Sequence, residues 1–155
     1  MSVIRVANES DFPCLMELYG QLHPDDPTLA SGEDRAVFYR ILSSDNLVLF
    51  VFEDDDGDVQ ATCYLNTIPN ITRRAAPYGI IENVVTEQVL RGEGIGKMII
   101  RHALQYAWDN GCYKVMLQTG SKRVSTHNFY KSCGFDGEEK FGYIARPSEN
   151  FNFFR

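Results

Sequence analysis

The sequence predicts an α/β (α+β) fold, with one central mixed, mainly antiparallel sheet flanked by about four helices. Three observations carry that expectation. Apolar residues recur at helical spacing over 12–22, 37–42 and 95–107. Extended apolar runs stand between them at 46–52, 59–68 and 78–86. The first two of those runs flank an acidic, glycine-containing turn, so helices alternate with strands on either side of a central hairpin.

With 155 residues the chain suits one domain, expected to span 1–155, and is long enough to bury a core. In chain order, Val3-Ile4-Arg5-Val6 reads as a short strand. Ser10 can cap a helix running to about Leu22, with Phe12, Leu15, Met16, Leu18, Tyr19 and Leu22 on its apolar face. His23-Pro24-Asp25-Asp26-Pro27 breaks it, because proline cannot continue a helix and the acids favour turns. A second helix follows from about Gly32 to Ser43, with Val37, Phe38, Ile41 and Leu42 facing inward. The nearly continuous apolar run 46–52 predicts a well-buried strand. Residues 53–58 form the hairpin turn and 59–68 its partner strand. This turn is not a calcium loop: Phe52 occupies the first ligand position, and no glutamate stands at the twelfth. A loop with Pro69 and Pro77 precedes a strand at Tyr78–Thr86. A long helix then begins near Gly94, with Ile95, Met98, Ile99, His102, Ala103, Tyr106 and Ala107 on one continuous face. Asn110-Gly111 ends it. A short strand over 114–118, a helix over 125–132 stopping at Gly134, and one or two strands within 137–146 complete the expected order.

Hydrophobic residues make up 44% and charged residues 23%, the balance of a globular domain. A formal net charge of -6 without a Lys/Arg run argues against nucleic acid as a partner. The start lacks the apolar segment of a signal peptide, and no apolar run approaches the roughly 20 residues of a membrane span. Cys14, Cys63, Cys112 and Cys133 are scattered with no CxxC pair, so the expected setting is a reduced cytoplasm, with no metal site.

The segment that carries chemistry is Arg91-Gly92-Glu93-Gly94-Ile95-Gly96-Lys97. A strand, a glycine-rich loop and a helix start make an anion site, because a helix N-terminus offers unpaired N–H groups and the positive end of its dipole. Lys97 can add charge in the first turn. A Walker A loop is excluded twice over, by Arg91 at the first glycine position and by Met98 after the lysine. A dinucleotide fingerprint would need GxGxxG near the first strand, whereas this is GxGxG in the second half of the chain.

Arg91-x-x-Gly94-x-Gly96 resembles the pyrophosphate-binding motif of the GNAT superfamily of acetyl-CoA-dependent N-acetyltransferases. Ile81-Glu82-Asn83-Val84-Val85-Thr86 looks like that family's cofactor strand, and Asn128-Phe129-Tyr130-Lys131-x-x-Gly134-Phe135 resembles its other recurrent signature. Order and spacing agree over nearly the whole chain. Gly111-Cys112-Tyr113-Lys114 is similar to glucosamine-phosphate N-acetyltransferases, while other features look like aminoalkylphosphonate or polyamine acetyltransferases.

The resemblance implies acetyl-CoA as co-substrate and a primary amine, most simply of a small molecule, as acceptor. It implies that Val84, Val85 and Thr86 meet the pantetheine arm as an added strand would, one N–H polarising the thioester. Arg91, Gly92, Glu93, Gly94, Ile95, Gly96 and Lys97 would cradle the pyrophosphate, and Asn128 would also reach the cofactor. Tyr130 is the candidate general acid, since a phenol with a pKa of about 10 can protonate a leaving thiolate. Glu82, a carboxylate on an apolar strand and so expected to be a buried charge, is the candidate base through a water. His102, in the apolar repeat, is expected to be structural, and His127 to cap its helix or face solvent. His23, Tyr19, Asp25, Asp26, Arg73 and Arg74 are the expected acceptor-selecting region. The aromatic tail 148–155 is expected to pack on the sheet or on a second subunit, which leaves a homodimer open. A second reading, a non-catalytic CoA-binding or interaction module, keeps the fold but has no need of Glu82 or Tyr130.

Overall fold

The longest apolar run of the chain becomes an inner strand of the sheet, paired on both sides. In the computed structural model, which describes residues 1–147, the elements follow one another as β1 (Val3–Val6), α1 (Phe12–Leu22), α2 (Glu33–Leu42), β2 (Leu47–Glu53), β3 (Val59–Ile68), a short α3 (Thr72–Ala75), β4 (Tyr78–Thr86), α4 (Ile95–Asp109), β5 (Val115–Leu117) and α5 (Val124–Ser132). Single 3-10 turns at Glu9–Asp11 and Gln88–Leu90 precede α1 and α4. The chain forms two compact units, Met1–Thr119 and a second beginning at Gly120. The first holds the whole sheet, in the order β1-β2-β3-β4-β5. All its neighbours are antiparallel except β4 and β5, so the mixed, mainly antiparallel sheet is as expected.

β2 is buried on both faces because helices cover both. Leu49 and Val51 join Ala7, Phe12, Leu15 and Phe38 in a core cluster under α1 and α2. Phe50 points the other way, as strand alternation requires, and meets the rings of His102 and Tyr106 edge-on at 5.0 and 5.4 Å. Ile95, Ile99, Ile100, Ala103 and Ala107 supply the buried stripe of α4. His102 therefore has the structural contact expected of it, although it lies at the exposed margin of the stripe. Met16, Val37 and Met98, expected on buried faces, are exposed; each sits at the edge of a stripe narrower than the apolar pattern suggested.

Two local expectations need correction. The helix start is capped by Asn8, not Ser10: Asn8 Oδ1 accepts the Ser10 N–H at 2.9 Å, and the Asn8 N–H donates to Asp11 Oδ2 at 2.7 Å. The strands expected within 137–146 do not form; the described chain beyond Gly134 is irregular, with Phe141, Tyr143 and Ile144 exposed. A strand exists only where a neighbour pairs with it, and this segment has none among the described residues. The aromatic tail lies outside the described residues.

Candidate active site

A defect in the sheet sets up the site. Thr62 pairs with Val85 and Tyr64 with Glu82, so Asn83 and Val84 stand opposite the single Cys63. Asn83 takes a left-handed φ of 51°, which asparagine tolerates better than most residues. This bulge turns the end of β4, and β5 pairs only with Gly79, Ile80 and Ile81. Beyond Ile81 the outer edge of β4 has no strand beside it among the described residues of the first unit. The Glu87 N–H donates to Gln60 O at 2.7 Å, so by alternation the Val85 backbone also faces β3. Val84 and Thr86 then present their N–H and C=O groups to the open edge. The Thr86 carbonyl fits that orientation, because it accepts a hydrogen bond from Arg91 Nε at 3.1 Å. Val85 contributes a buried side chain instead of a free backbone group.

The open edge leads into the glycine loop. Gly92 and Gly94 have φ of 91° and 86°, a conformation costly for residues with a Cβ, and a Cβ there would meet no neighbour. Backbone handedness, not crowding, is what calls for glycine at these two positions. Gly94 caps α4, and its carbonyl receives the Met98 N–H at 3.0 Å. Among the described residues, no acceptor meets the backbone N–H groups from Gly92 to Lys97. This run of unsatisfied donors lies at the positive end of a 15-residue helix. Arg91 is exposed beside it and Lys97 half-buried, with the exposed Glu93 the one acidic group of the loop. An extended thioester arm on β4 followed by a diphosphate at the loop matches these donors in kind and order.

A family model described as the acetyltransferase (GNAT) family matches residues 13–135, most of the chain. The chain belongs to the acetyltransferase (GNAT) family. A glucosamine 6-phosphate N-acetyltransferase of Trypanosoma brucei brucei is 32% identical over 138 residues, 88% of this chain and 90% of that one. The crystal structure of glucosamine-6-phosphate N-acetyltransferase from Arabidopsis thaliana is 28% identical with a TM-score of 0.81, covering 96% of this chain and 99% of that one. A solved structure from Agrobacterium tumefaciens is 44% identical with a TM-score of 0.87, covering 94% and 99%. This GNAT protein is thus an acyltransferase that draws its acetyl group from acetyl-CoA. No cluster of three or more His, Cys, Asp or Glu suited to a metal occurs among its described residues.

Other candidate residues of the GNAT chain fall in both units. Glu82 is exposed, not buried; it stands one residue past the last β4–β5 pair, next to the bulge at Asn83. Cys63, across the sheet at the bulge, is fully buried, and burial pushes its thiol up to about 12, which keeps it protonated and inert. Tyr19 is half-buried against the core cluster. Burial raises its phenol to about 12, while a hydrogen bond with Thr62 works in the opposite direction. His23, Asp25 and Asp26 are exposed in the loop after α1. Arg73 and Arg74 are exposed in a left-handed turn, with φ of 54° and 61°, followed by Ala75 at 60°. A cavity of about 350 Å³ is lined by Asn46, Thr67, Asn70, Pro77, Tyr106 and Asn110. It lies at the C-terminal end of α4, away from the glycine loop, and so is not the diphosphate site.

In the second unit, Asn128 and Tyr130 are both on α5. Asn128 is exposed, and Tyr130 is half-buried with ring centroids 5.2 Å from Phe129 and 6.3 Å from Phe135. His127 is exposed, one of the two roles expected of it, and does not cap α5; its Nε2 lies 2.8 Å from Ser121 O in the loop before the helix.

Sequence reasoning missed two features. The Asn83 bulge had a faint signal, an asparagine inside an apolar strand. Gln21 had none. Its side chain donates to Glu87 Oε2 at 2.8 Å and accepts the Gln88 N–H at 3.0 Å, although the partners are 66 and 67 residues away.

Proposed function

We propose that this enzyme moves the acetyl group of acetyl-CoA to the primary amine of a small molecule, with a phosphorylated amino sugar as the first acceptor to try. The observation that carries the cofactor half is the run of unsatisfied N–H groups from Gly92 to Lys97, following directly on the open edge of β4. The acceptor half is supported by relatives named glucosamine 6-phosphate N-acetyltransferases. The exposed Arg73 and Arg74 would suit a phosphate or another anionic group on such an acceptor.

In this reading Val84 and Thr86 hold the pantetheine arm from the strand edge, and the Val84 N–H polarises the thioester carbonyl. Residues 91–97 hold the diphosphate, and Asn128 adds a polar contact to the cofactor. Glu82, acting through a water, takes a proton from the acceptor ammonium, so that the free amine can attack the carbonyl carbon. Its exposure supports a water-mediated role. Tyr130 returns a proton to the sulfur as the carbon–sulfur bond breaks; its support is the Asn128-to-Gly134 signature within the family match. The whole chain acts as one N-acetyltransferase domain in a reduced, cytoplasmic setting. A homodimer is part of the same reading, supported by the exposed Phe141, Tyr143 and Ile144.

Thermal unfolding with excess acetyl-CoA, against ATP and NAD, tests the cofactor half. Saturation at 100 times the dissociation constant stabilises by about 2.7 kcal/mol, a rise of roughly 5–10 °C at this size. Release of free thiol with glucosamine 6-phosphate, glucosamine or a polyamine then tests the acceptor. No shift with acetyl-CoA would remove the cofactor assignment. A shift with thiol release from a polyamine alone would remove the amino sugar.

A further inference from the structure

The glycine loop can bind a diphosphate only if its N–H groups point together before the ligand arrives. Glycines at φ of 91° and 86° do not hold such a shape unaided, so something next to the loop must. The 3-10 turn Gln88–Leu90 lies directly before it. Two anchors come from the strand side: the Glu87 N–H donates to Gln60 O at 2.7 Å, and Arg91 Nε donates to Thr86 O at 3.1 Å. A third comes from a helix far away in sequence. Gln21, in the last turn of α1, gives its Nε2–H to Glu87 Oε2 at 2.8 Å and takes the Gln88 N–H on Oε1 at 3.0 Å.

We propose that Gln21 is a positioning residue for the diphosphate of acetyl-CoA, clamping the turn at Glu87–Gln88 so that the loop after it keeps its donors converged. Both ends of one amide are engaged by adjacent residues, so the clamp fixes the direction of the turn as well as its place. Hydrophobic packing of α1 through Leu15 and Leu18 anchors the helix itself, leaving Gln21 to relay that rigidity to the loop. Neither bond is needed to fold α1, because each runs from a side chain near its C-terminal end to another part of the chain. The proposal rests on the cofactor reading given above.

The test begins with the affinity of the native protein for acetyl-CoA, measured by calorimetry. Absence of binding there would bring down the cofactor reading, and the clamp with it. Given binding, Gln21→Leu should weaken it roughly tenfold, the loss of two hydrogen bonds, one to a charged group, acting through loop geometry. The KM for acetyl-CoA should rise with it, while kcat at saturating acetyl-CoA stays near the native value. A merely structural role would instead lower kcat and the unfolding temperature at unchanged KM. Gln21→Glu should bind as poorly as Gln21→Leu, since two carboxylates then oppose each other. The exchange Gln21→Glu with Glu87→Gln restores a donor facing an acceptor and leaves an oxygen for the Gln88 N–H, so it should recover most of the affinity. Glu87→Ala, which removes one of the two bonds and leaves α1 intact, should fall between. Native-like affinity in both Gln21→Leu and Glu87→Ala, or no recovery in the exchanged pair, overturns the clamp while leaving the cofactor reading in place.

Discussion

Glu82 and Tyr130 are proposed to act at opposite ends of one reaction, and single-atom changes can separate them. Tyr130→Phe removes the acidic proton and keeps the ring contacts with Phe129 and Phe135. It should lower kcat by about 10²-fold or more while leaving acetyl-CoA affinity nearly intact. Glu82→Gln should depress kcat/KM on a similar scale, about 10²-fold, and flatten the acid limb of the pH profile. An unchanged kcat in the first variant takes Tyr130 out of the mechanism, and an unmoved profile in the second sends the search for a base elsewhere. Identity was legible at this scale and environment was not. Glu82 could be picked out because a carboxylate is conspicuous on an apolar strand. That it would be exposed depended on what packs around it in space, a fact carried by other residues. Gln21 was invisible for the same reason, since its partners lie 66 and 67 residues along the chain.

Elements were the most legible level, because periodicity belongs to the element itself. The run 46–52 reads as a well-buried strand, and β2 is one. The stripe of α4 was legible apart from its edge, where Met98 is exposed and Ile100 buried. What holds the first strand in place was not legible. Arg5 donates to Asp11 through both terminal nitrogens, at 2.7 and 2.9 Å, and to Glu53 at 2.6 and 2.9 Å, tying β1 to β2 and to the start of α1. The Arg5 hydrogen bonds hold the Asp11 carboxyl below its usual range, against the opposing effect of burial and with help from the Asn8 N–H. A carboxyl depressed in the folded state stabilises fully above its unfolded pKa of about 3.9, and that contribution is lost as pH falls through the folded value. Asp11→Asn should therefore cost on the order of 2 kcal/mol at neutral pH. Urea unfolding should show the gap between native and variant narrowing below about pH 4. A gap that stays constant with pH would mean the ion pair is not its source.

At the scale of the whole molecule, sequence reasoning named the sheet and the family but misjudged where the sheet ends. Residues 137–146 read as one or two final strands, yet none forms there among the described residues. Pairing is a property of two segments, and the second could not be inferred from the first. The same observation now serves a prediction. Both edges of the sheet, β1 and β5, are open among the described residues, and strand alternation leaves the Val115 and Leu117 backbone groups on the outer side of β5. A segment that reads as strand but is exposed at Phe141, Tyr143 and Ile144 is suited to such an edge on a second copy, which would satisfy two copies at once by symmetry. Sedimentation of the native chain should therefore give twice the 17.6 kDa chain mass. Phe141→Asp with Tyr143→Asp should return it to the single mass without loss of the acetyl-CoA thermal shift. Mixing a Val115→Cys chain with an Ile144→Cys chain should give a disulfide between the two. A native chain that sediments as a monomer, or a cysteine pair that closes only when both are on one chain, would mean that the segment serves its own sheet and that the dimer is not part of this enzyme.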